Sequence, residues 1–110
     1  MTAWKDQIQR EFERAKAARA QGNEGQARVC ARRAAGIAIR EYYARQGQKL
    51  RTPSAYDLLT LLRDDPGIAP DLKQAAAHLT LRVTEEFKLP VHVDLVEEAH
   101  KVCEGLLGEI

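Results

Sequence analysis

The stretch that decides the fold is residues 24–46, EGQARVCARRAAGIAIREYYARQ. Its apolar residues recur every three or four positions, which predicts a long amphipathic helix. The main apolar face holds Ala27, Cys30, Ala31, Ala34, Ile37, Ala38 and Tyr42. The opposite side carries a second apolar stripe of Val29, Gly36, Ile39 and Tyr43, set among arginines. Two apolar stripes are typical of a helix at the centre of a bundle or in a dimer contact.

The segments on both sides of this stretch also predict helices. Residues 2–21 place Trp4, Ile8, Phe12 and Ala15 on one face, and Gly22-Asn23 forms a turn short enough to require an antiparallel hairpin. A short helix is expected over residues 53–63. Either Thr52 caps it with Pro53 as its first residue, or Ser54 caps it with Asp57 three positions on.

Two more helices are predicted in the second half. One should run over residues 70–87 and the other from Asp94, paired with Glu97 in a capping-box pattern, to Gly108. No segment alternates with the period of two that marks a strand. We therefore expect one all-α domain spanning residues 1–110, an antiparallel up-and-down bundle of about five helices.

Composition and charge narrow the functional classes. The 110 residues are 45% hydrophobic, which favours a folded domain over a disordered chain. The first residues lack the apolar run of a signal peptide and no segment approaches the length of a membrane helix, so we predict a cytoplasmic protein. Cys30 and Cys103 are then expected to be reduced, half-buried thiols.

Residues 1–51 carry a net charge of +7 and residues 52–110 one of −6. Either the halves neutralise each other, or the first half forms a basic binding surface.

No catalytic or metal-binding motif is apparent, so we expect neither a metal nor a cofactor. The three histidines lack metal-ligand spacing: His78 lies in an alanine-rich helix, and His100 follows Glu97 by three positions and should contact it. Only His92, in a predicted loop, is singled out as a functional candidate. The adjacent acidic pairs Asp64-Asp65, Glu85-Glu86 and Glu97-Glu98 are expected to be solvated.

The strongest candidate binding surface is a basic stripe on the central helix. Arg28 and Arg32 are four residues apart and Arg40 lies two turns further on, with Arg33 nearby. Such a stripe could match the phosphates of a nucleic acid backbone, or pair with the acidic second half or a second copy of the chain.

The order and pattern of these helices resemble a HEPN domain (higher eukaryotes and prokaryotes nucleotide-binding). The hairpin over residues 17–47 is similar to the family's first hairpin. SAYDLLTLLRDD (residues 54–65) resembles its His-Asp-Leu helix, with Tyr56 in place of the histidine and Asp57 matching the aspartate, so we include Asp57 among the binding candidates. LTLRVTEEFKLP (79–90) keeps the proline that ends the family's fourth helix as Pro90, and VEEAHKVCEGLL (96–107) matches the closing helix.

One departure from the family decides the functional expectation. Catalytic HEPN ribonucleases have an arginine followed by a histidine after four to six residues, whereas Arg82 precedes His92 by ten. The resemblance therefore implies a non-catalytic member, a homodimer that binds a protein or nucleotide partner. Such a partner would be a nucleotidyltransferase or a component of a toxin–antitoxin pair.

Two alternative functions stay open. In the first, Arg82 and His92 approach in space and form a rearranged, metal-independent ribonuclease, in which the histidine is the general base and the arginine stabilises charge on the phosphate. In the second, the hairpin over residues 17–47 belongs to a tetratricopeptide-like adaptor, although such arrays need about three repeats.

Overall fold

The computed structural model describes residues 3–81 and 93–108. These residues form five helices and no strand, which confirms the predicted all-α bundle. The helices are α1 (Ala3–Ala20), α2 (Glu24–Arg45), α3 (Ala55–Asp64), α4 (Pro70–Leu79) and α5 (Leu95–Leu107). Within the described ranges, no helix combines the length and the apolar character needed to cross a membrane.

The turn between α1 and α2 forms as the sequence predicts. Gly22 adopts a positive φ of 77°, and the N–H groups of Gly22 and Asn23 donate to the carbonyls of Arg19 and Ala18. These two bonds close the end of α1, because a left-handed residue lets the chain fold back onto the last free carbonyls. The side chain of Asn23 then accepts from the Gln26 N–H at 3.1 Å and caps α2. The result is the expected antiparallel hairpin.

Helix α2 lies at the centre of the bundle, in contact with α1, α3 and α5. Its second apolar stripe is covered within the chain: Ile39 and Tyr43 belong to the same core cluster as Leu58 and Leu62 of α3. The hydroxyl of Tyr43 donates to Asp65 Oδ2 at 2.5 Å. The bundle-centre interpretation is therefore confirmed, and Ile39 and Tyr43 are buried without a second copy, whereas Val29 is half-buried.

The start of α3 and the end of α4 show how local contacts set the helix bounds. Ser54 caps α3, because its hydroxyl accepts from the Asp57 N–H at 3.2 Å. The prediction that the fourth helix continues to residue 87 was wrong, since α4 ends at Leu79. There the Thr80 hydroxyl donates to the carbonyl of Ala77 at 2.7 Å. The part of that prediction that falls on residues 82–87 lies outside the described residues.

Both cysteines are free and fully buried, more deeply than the half-buried state expected from the sequence. The Cys103 thiol donates to the Ala34 carbonyl at 3.7 Å, and the Gln26 amide donates to the Cys30 sulfur at the same distance. Burial raises the pKa of Cys103 to about 12, because the thiolate would lose its hydration. The thiols therefore serve as small core residues.

Gly36→Leu should weaken the contact between α2 and α3. A Cβ at residue 36 would lie 3.2 Å from the Ala55 Cβ and 3.3 Å from its Cα, so a longer side chain must push α3 outward. We expect the free energy of unfolding in urea to fall by about 1–3 kcal/mol. The control is Gly25→Ala, where the nearest atom is 3.8 Å away and stability should stay level or rise by up to about 1 kcal/mol. Equal effects at the two positions would contradict the close approach.

The native thiols should resist a disulfide reagent at mildly alkaline pH, because both are shielded from water and Cys103 stays protonated. Mass spectrometry should show slow labelling in buffer and labelling of both residues in urea. Ala44→Cys, at an exposed position of α2, provides the reactive control. Fast native labelling of Cys30 or Cys103 would show that the core around α2 is open.

Candidate binding surface

The basic stripe predicted on α2 divides into residues that turn toward the bundle and residues that face outward. Arg28 lies 4.0 Å from Glu24, one turn earlier on the same helix. Arg32 is half-buried and donates to the carbonyls of Leu79 and Leu81 at 2.8 and 3.1 Å. Arg32 therefore satisfies carbonyls at the end of α4, and burial lowers the pKa of its guanidinium. Arg32 is therefore committed to structure, whereas Arg28 makes only the longer contact with Glu24.

Arg40 instead shares an outward face of α2 with Arg33. The two are seven residues apart, so they lie nearly above one another on the helix, and both are exposed. They line a cavity of about 260 Å³ together with Gly36, Ile37 and the start of α3. Arg40 also donates to the Thr52 carbonyl at 2.6 Å, which holds its guanidinium against the loop before α3.

The first helix extends this basic surface. Arg10 and Arg14 of α1 line an adjoining cavity of about 250 Å³ that shares Glu11 and Ile37 with the first. We call Arg10, Arg14, Arg33 and Arg40, with Glu11 among them, the arginine face. Four guanidinium groups and one carboxylate give it a formal charge of +3.

Glu11 neutralises only part of this charge. Its side chain is 12% exposed, and its Oε1 lies 3.6 Å from Arg14 Nη1. That oxygen has no hydrogen-bond donor among the described residues. Over the same ranges, no ion pair joins Arg10 or Arg33 to a carboxylate. The face therefore keeps guanidinium groups that can bind an external anion.

Asp57 lies beside this surface and supports it. Its Oδ2 accepts from the Thr52 hydroxyl at 3.0 Å, while the Thr52 carbonyl accepts from Arg40. Asp57 is thus linked to Arg40 through one residue of the loop. The other two site candidates, Arg82 and His92, lie outside the described residues, and so their predicted approach stays a hypothesis.

A second surface feature is the groove between α1 and α5, which we call the α1–α5 groove. The Phe12 and His100 rings stack across it, with their centroids 3.7 Å apart and their planes 8° from parallel. Two cavities of about 340 and 450 Å³ lie on either side of this pair, both lined by Phe12, Glu13 and His100. From the sequence, His100 was expected to contact Glu97 of the same helix. The stacking on Phe12 was not predicted, because the spacing of residues within one helix cannot reveal a partner on another helix.

An ion cluster closes one end of the α1–α5 groove. The guanidinium of Arg19 contacts Glu24 at 2.7 Å and Asp94 at 2.9 Å, which joins α1, the start of α2 and the cap of α5. The hydrogen bonds from Arg19 lower the pKa values of both carboxyl groups. Asp94 also accepts from the Val96 N–H at 2.9 Å and caps α5. The cluster joins Arg19 of the basic half of the sequence to Asp94 of the acidic half. It is a contact of the kind expected if the two halves neutralise each other.

The remaining histidine of the described ranges contacts a buried carboxylate. His78 Nδ1 of α4 lies 3.4 Å from Glu98 Oε1 of α5, without hydrogen-bond geometry, and Glu98 is only 7% exposed. The expectation that Glu98 is solvated was therefore wrong. Its spacing from Leu95 and Val102, three and four residues away, is the signal that places it on the buried face. Neither residue lines the cavities of the arginine face or the α1–α5 groove, so we assign the pair to helix packing.

The described parts of the chain contain no group of three or more His, Cys, Asp or Glu side chains arranged to hold a metal ion. Comparisons of the chain with protein-family models, with curated proteins and with solved structures find no match. The candidate site is therefore defined by its own geometry, an arginine face on α1 and α2 and a separate groove between α1 and α5.

Arg19→Gln should make the protein less stable at neutral pH and should flatten its response to acid. Because Arg19 lowers the pKa values of Glu24 and Asp94, the stability that they contribute is present above the ordinary carboxyl pKa of about 4 and is lost as pH falls through the lowered values. The difference between wild type and variant in urea unfolding should therefore shrink as pH falls from about 5 to about 2. Lys49→Gln, which removes the same charge from an exposed loop, is the control. A difference that does not change with pH would rule out the ion cluster as its cause.

Proposed function

We propose that the chain is a non-catalytic, HEPN-like binding domain that acts as a homodimer and holds the phosphate backbone of RNA on its arginine face. The observation that carries this proposal is the convergence of four arginines from two helices around a single carboxylate. The resemblance to HEPN domains implies a protein or nucleotide partner, and we choose RNA because exposed guanidinium groups suit a run of phosphates. A nucleotidyltransferase or toxin–antitoxin partner stays a prediction of that resemblance.

The chemistry of the arginine face suits phosphate groups. An arginine stays protonated at every physiological pH, and its planar fork can donate two parallel hydrogen bonds to one phosphate. Arg33 and Arg40 are set about two helical turns apart, and Arg10 and Arg14 one turn apart, so the face offers several contacts along a strand. Among the described residues, none that lines the two cavities of this face is aromatic, so no base-stacking platform is present there. Binding should therefore depend on the backbone and vary little with base sequence.

The positions of the described histidines support the non-catalytic part of the proposal. His78 lies between α4 and α5, and His100 lies in the α1–α5 groove, so neither lines the cavities of the arginine face. General acid–base catalysis needs the proton-transfer group within hydrogen-bond reach of the reacting atoms. Neither histidine meets that condition for a phosphate held by Arg33 and Arg40.

The tetratricopeptide-like alternative gains no support from the described helices. The α1–α2 hairpin is built from helices of 18 and 22 residues, whereas α3 and α4 have 10 residues each. A repeat array stacks units of similar length. The described helices instead share one core cluster, to which α2, α3, α4 and α5 all contribute residues.

RNA binding can be tested by fluorescence anisotropy with a labelled single-stranded RNA in EDTA, over a range of salt concentrations. In the double variant Arg10→Gln/Arg33→Gln, we expect the dissociation constant to rise about tenfold or more, because two charged contacts are lost. The slope of log affinity against log salt should fall by about 1.4, since each phosphate contact on a single strand accounts for about 0.7.

The matched control removes the same charge elsewhere. Arg63→Gln/Lys101→Gln neutralises two residues that are paired with Asp64 and Glu98, away from the arginine face. This variant should bind RNA as wild type does. The proposal fails if wild type does not bind, or if both double variants lose affinity equally.

A further inference from the structure

The α1–α5 groove differs from the arginine face in both position and chemistry. Phe12 and Glu13 of α1 line the groove, whereas Arg10 and Arg14 of the same helix line a cavity of the arginine face. On the α5 side the groove is lined by His100, whose ring stacks on Phe12. We call these two stacked rings the aromatic pair. RNA held on the arginine face would therefore leave the groove open.

The larger cavity of the groove, about 450 Å³, combines the aromatic pair with two carboxylates. Its lining consists of Gln9, Phe12, Glu13, His100, Cys103 and Glu104. Among the described residues, no lysine or arginine lines this cavity. Glu13 and Glu104 are exposed, and neither forms an ion pair within the described ranges. Both carboxylates are therefore available to a cation from outside the chain.

The positive side chains of the groove do not cancel this charge. Lys16 and Arg19 line the smaller cavity, of about 340 Å³. Arg19 is already bound by the carboxylates of Glu24 and Asp94, so that cluster is itself negative. Lys16 can offset only one of the two carboxylates of the larger cavity. With the cluster included, four carboxylates and two cations leave the groove with a formal charge of −2.

The aromatic pair narrows the kind of cation that fits. A guanidinium group is planar and weakly hydrated, so it can lie against an aromatic ring while its N–H groups donate to carboxylates. An ammonium group is a compact, strongly hydrated charge and gains less from a flat apolar surface. A metal ion is a poor fit, because the described residues hold no group of three or more His, Cys, Asp or Glu arranged for one.

We propose that the larger cavity of the α1–α5 groove binds an arginine side chain presented by a partner protein. The guanidinium donates to Glu13 and Glu104 and lies against the aromatic pair. The smaller cavity is also lined by Ala15 and Val96, and it takes an apolar side chain next to that arginine. The partner segment is thus defined by an arginine beside an apolar residue.

The same charges argue against the other occupants of the groove. A phosphate backbone would be repelled by Glu13 and Glu104. A second copy related by a two-fold axis at the aromatic pair would bring the Glu13 side chains of both copies together, because Glu13 lines both cavities. The inference therefore goes beyond the proposed function and depends neither on RNA binding nor on the homodimer.

A peptide titration followed by two-dimensional NMR of the isotope-labelled chain tests the site. With acetyl-Gly-Leu-Arg-Gly-amide, we expect the backbone signals of Glu13, His100 and Glu104 to shift, with a dissociation constant on the order of 1 mM. The same peptide with citrulline keeps the shape of the side chain without its charge, and should bind at least about tenfold more weakly. A lysine peptide should bind about threefold or more weakly, because it lacks the planar fork.

Two double variants separate the groove from a general attraction of cations. Glu13→Gln/Glu104→Gln should bind the arginine peptide at least about tenfold more weakly than wild type, and should bind RNA no more weakly than wild type. The matched control, Asp64→Asn/Asp71→Asn, removes two exposed carboxylates from α3 and α4 and should bind the peptide as wild type does. Circular dichroism melts should show that both variants fold.

An arginine peptide that shifts none of the groove signals would overturn this inference, as would equal binding of the citrulline peptide or equal losses in the two double variants. Equal binding of the lysine peptide would overturn the choice of a guanidinium. Groove signals that shift when the chain alone is diluted, or when RNA is added, would assign the groove to a second copy or to RNA instead. The RNA proposal keeps its own test in each case, because that test changes only arginines outside the groove.

Discussion

The central position of α2, which packs against α1, α3 and α5, is the constraint on which the other features depend. Five of its alanines (Ala27, Ala31, Ala34, Ala35 and Ala38) are completely buried, as are Cys30 and Ile39. Small side chains let neighbouring helices approach closely but bury little apolar area themselves. Most of the apolar area therefore comes from the helices around α2, above all from Leu58, Leu59 and Leu62 of α3 and Leu79 of α4.

This arrangement also decides which arginines are available for binding. An arginine on α2 that points toward another helix is used within the fold, as Arg32 is at the carbonyls that end α4. An arginine that points between α1 and α3 stays at the surface, as Arg33 does. The functional surface is thus a consequence of where the neighbouring helices leave α2 uncovered. Some arginines of the first half of the chain are therefore used in helix packing, and others form the arginine face.

The sequence predicts features that depend on neighbouring residues and misses those that depend on distant ones. The turn at Gly22, the cap at Asp94 and the central position of α2 follow from local chemistry and apolar spacing. The end of α4 could not be predicted, since it depends in part on Arg32, 47 residues earlier in the chain. The arginine face was only partly predicted. The seven-residue spacing of Arg33 and Arg40 is visible in the sequence, whereas the contribution of α1 requires the relative rotation of two packed helices.

The contact between Arg19 and Asp94 joins groups 75 residues apart in the chain, while α1 and α2 meet across a turn of three residues. Contacts that are close in sequence form early, because little loop entropy is lost in making them. During synthesis, the α1–α2 hairpin can therefore assemble while the acidic half is still being translated. Until Asp94 emerges, Arg19 can contact Glu24 but not Asp94, so the contact that joins the two halves of the sequence forms after the hairpin.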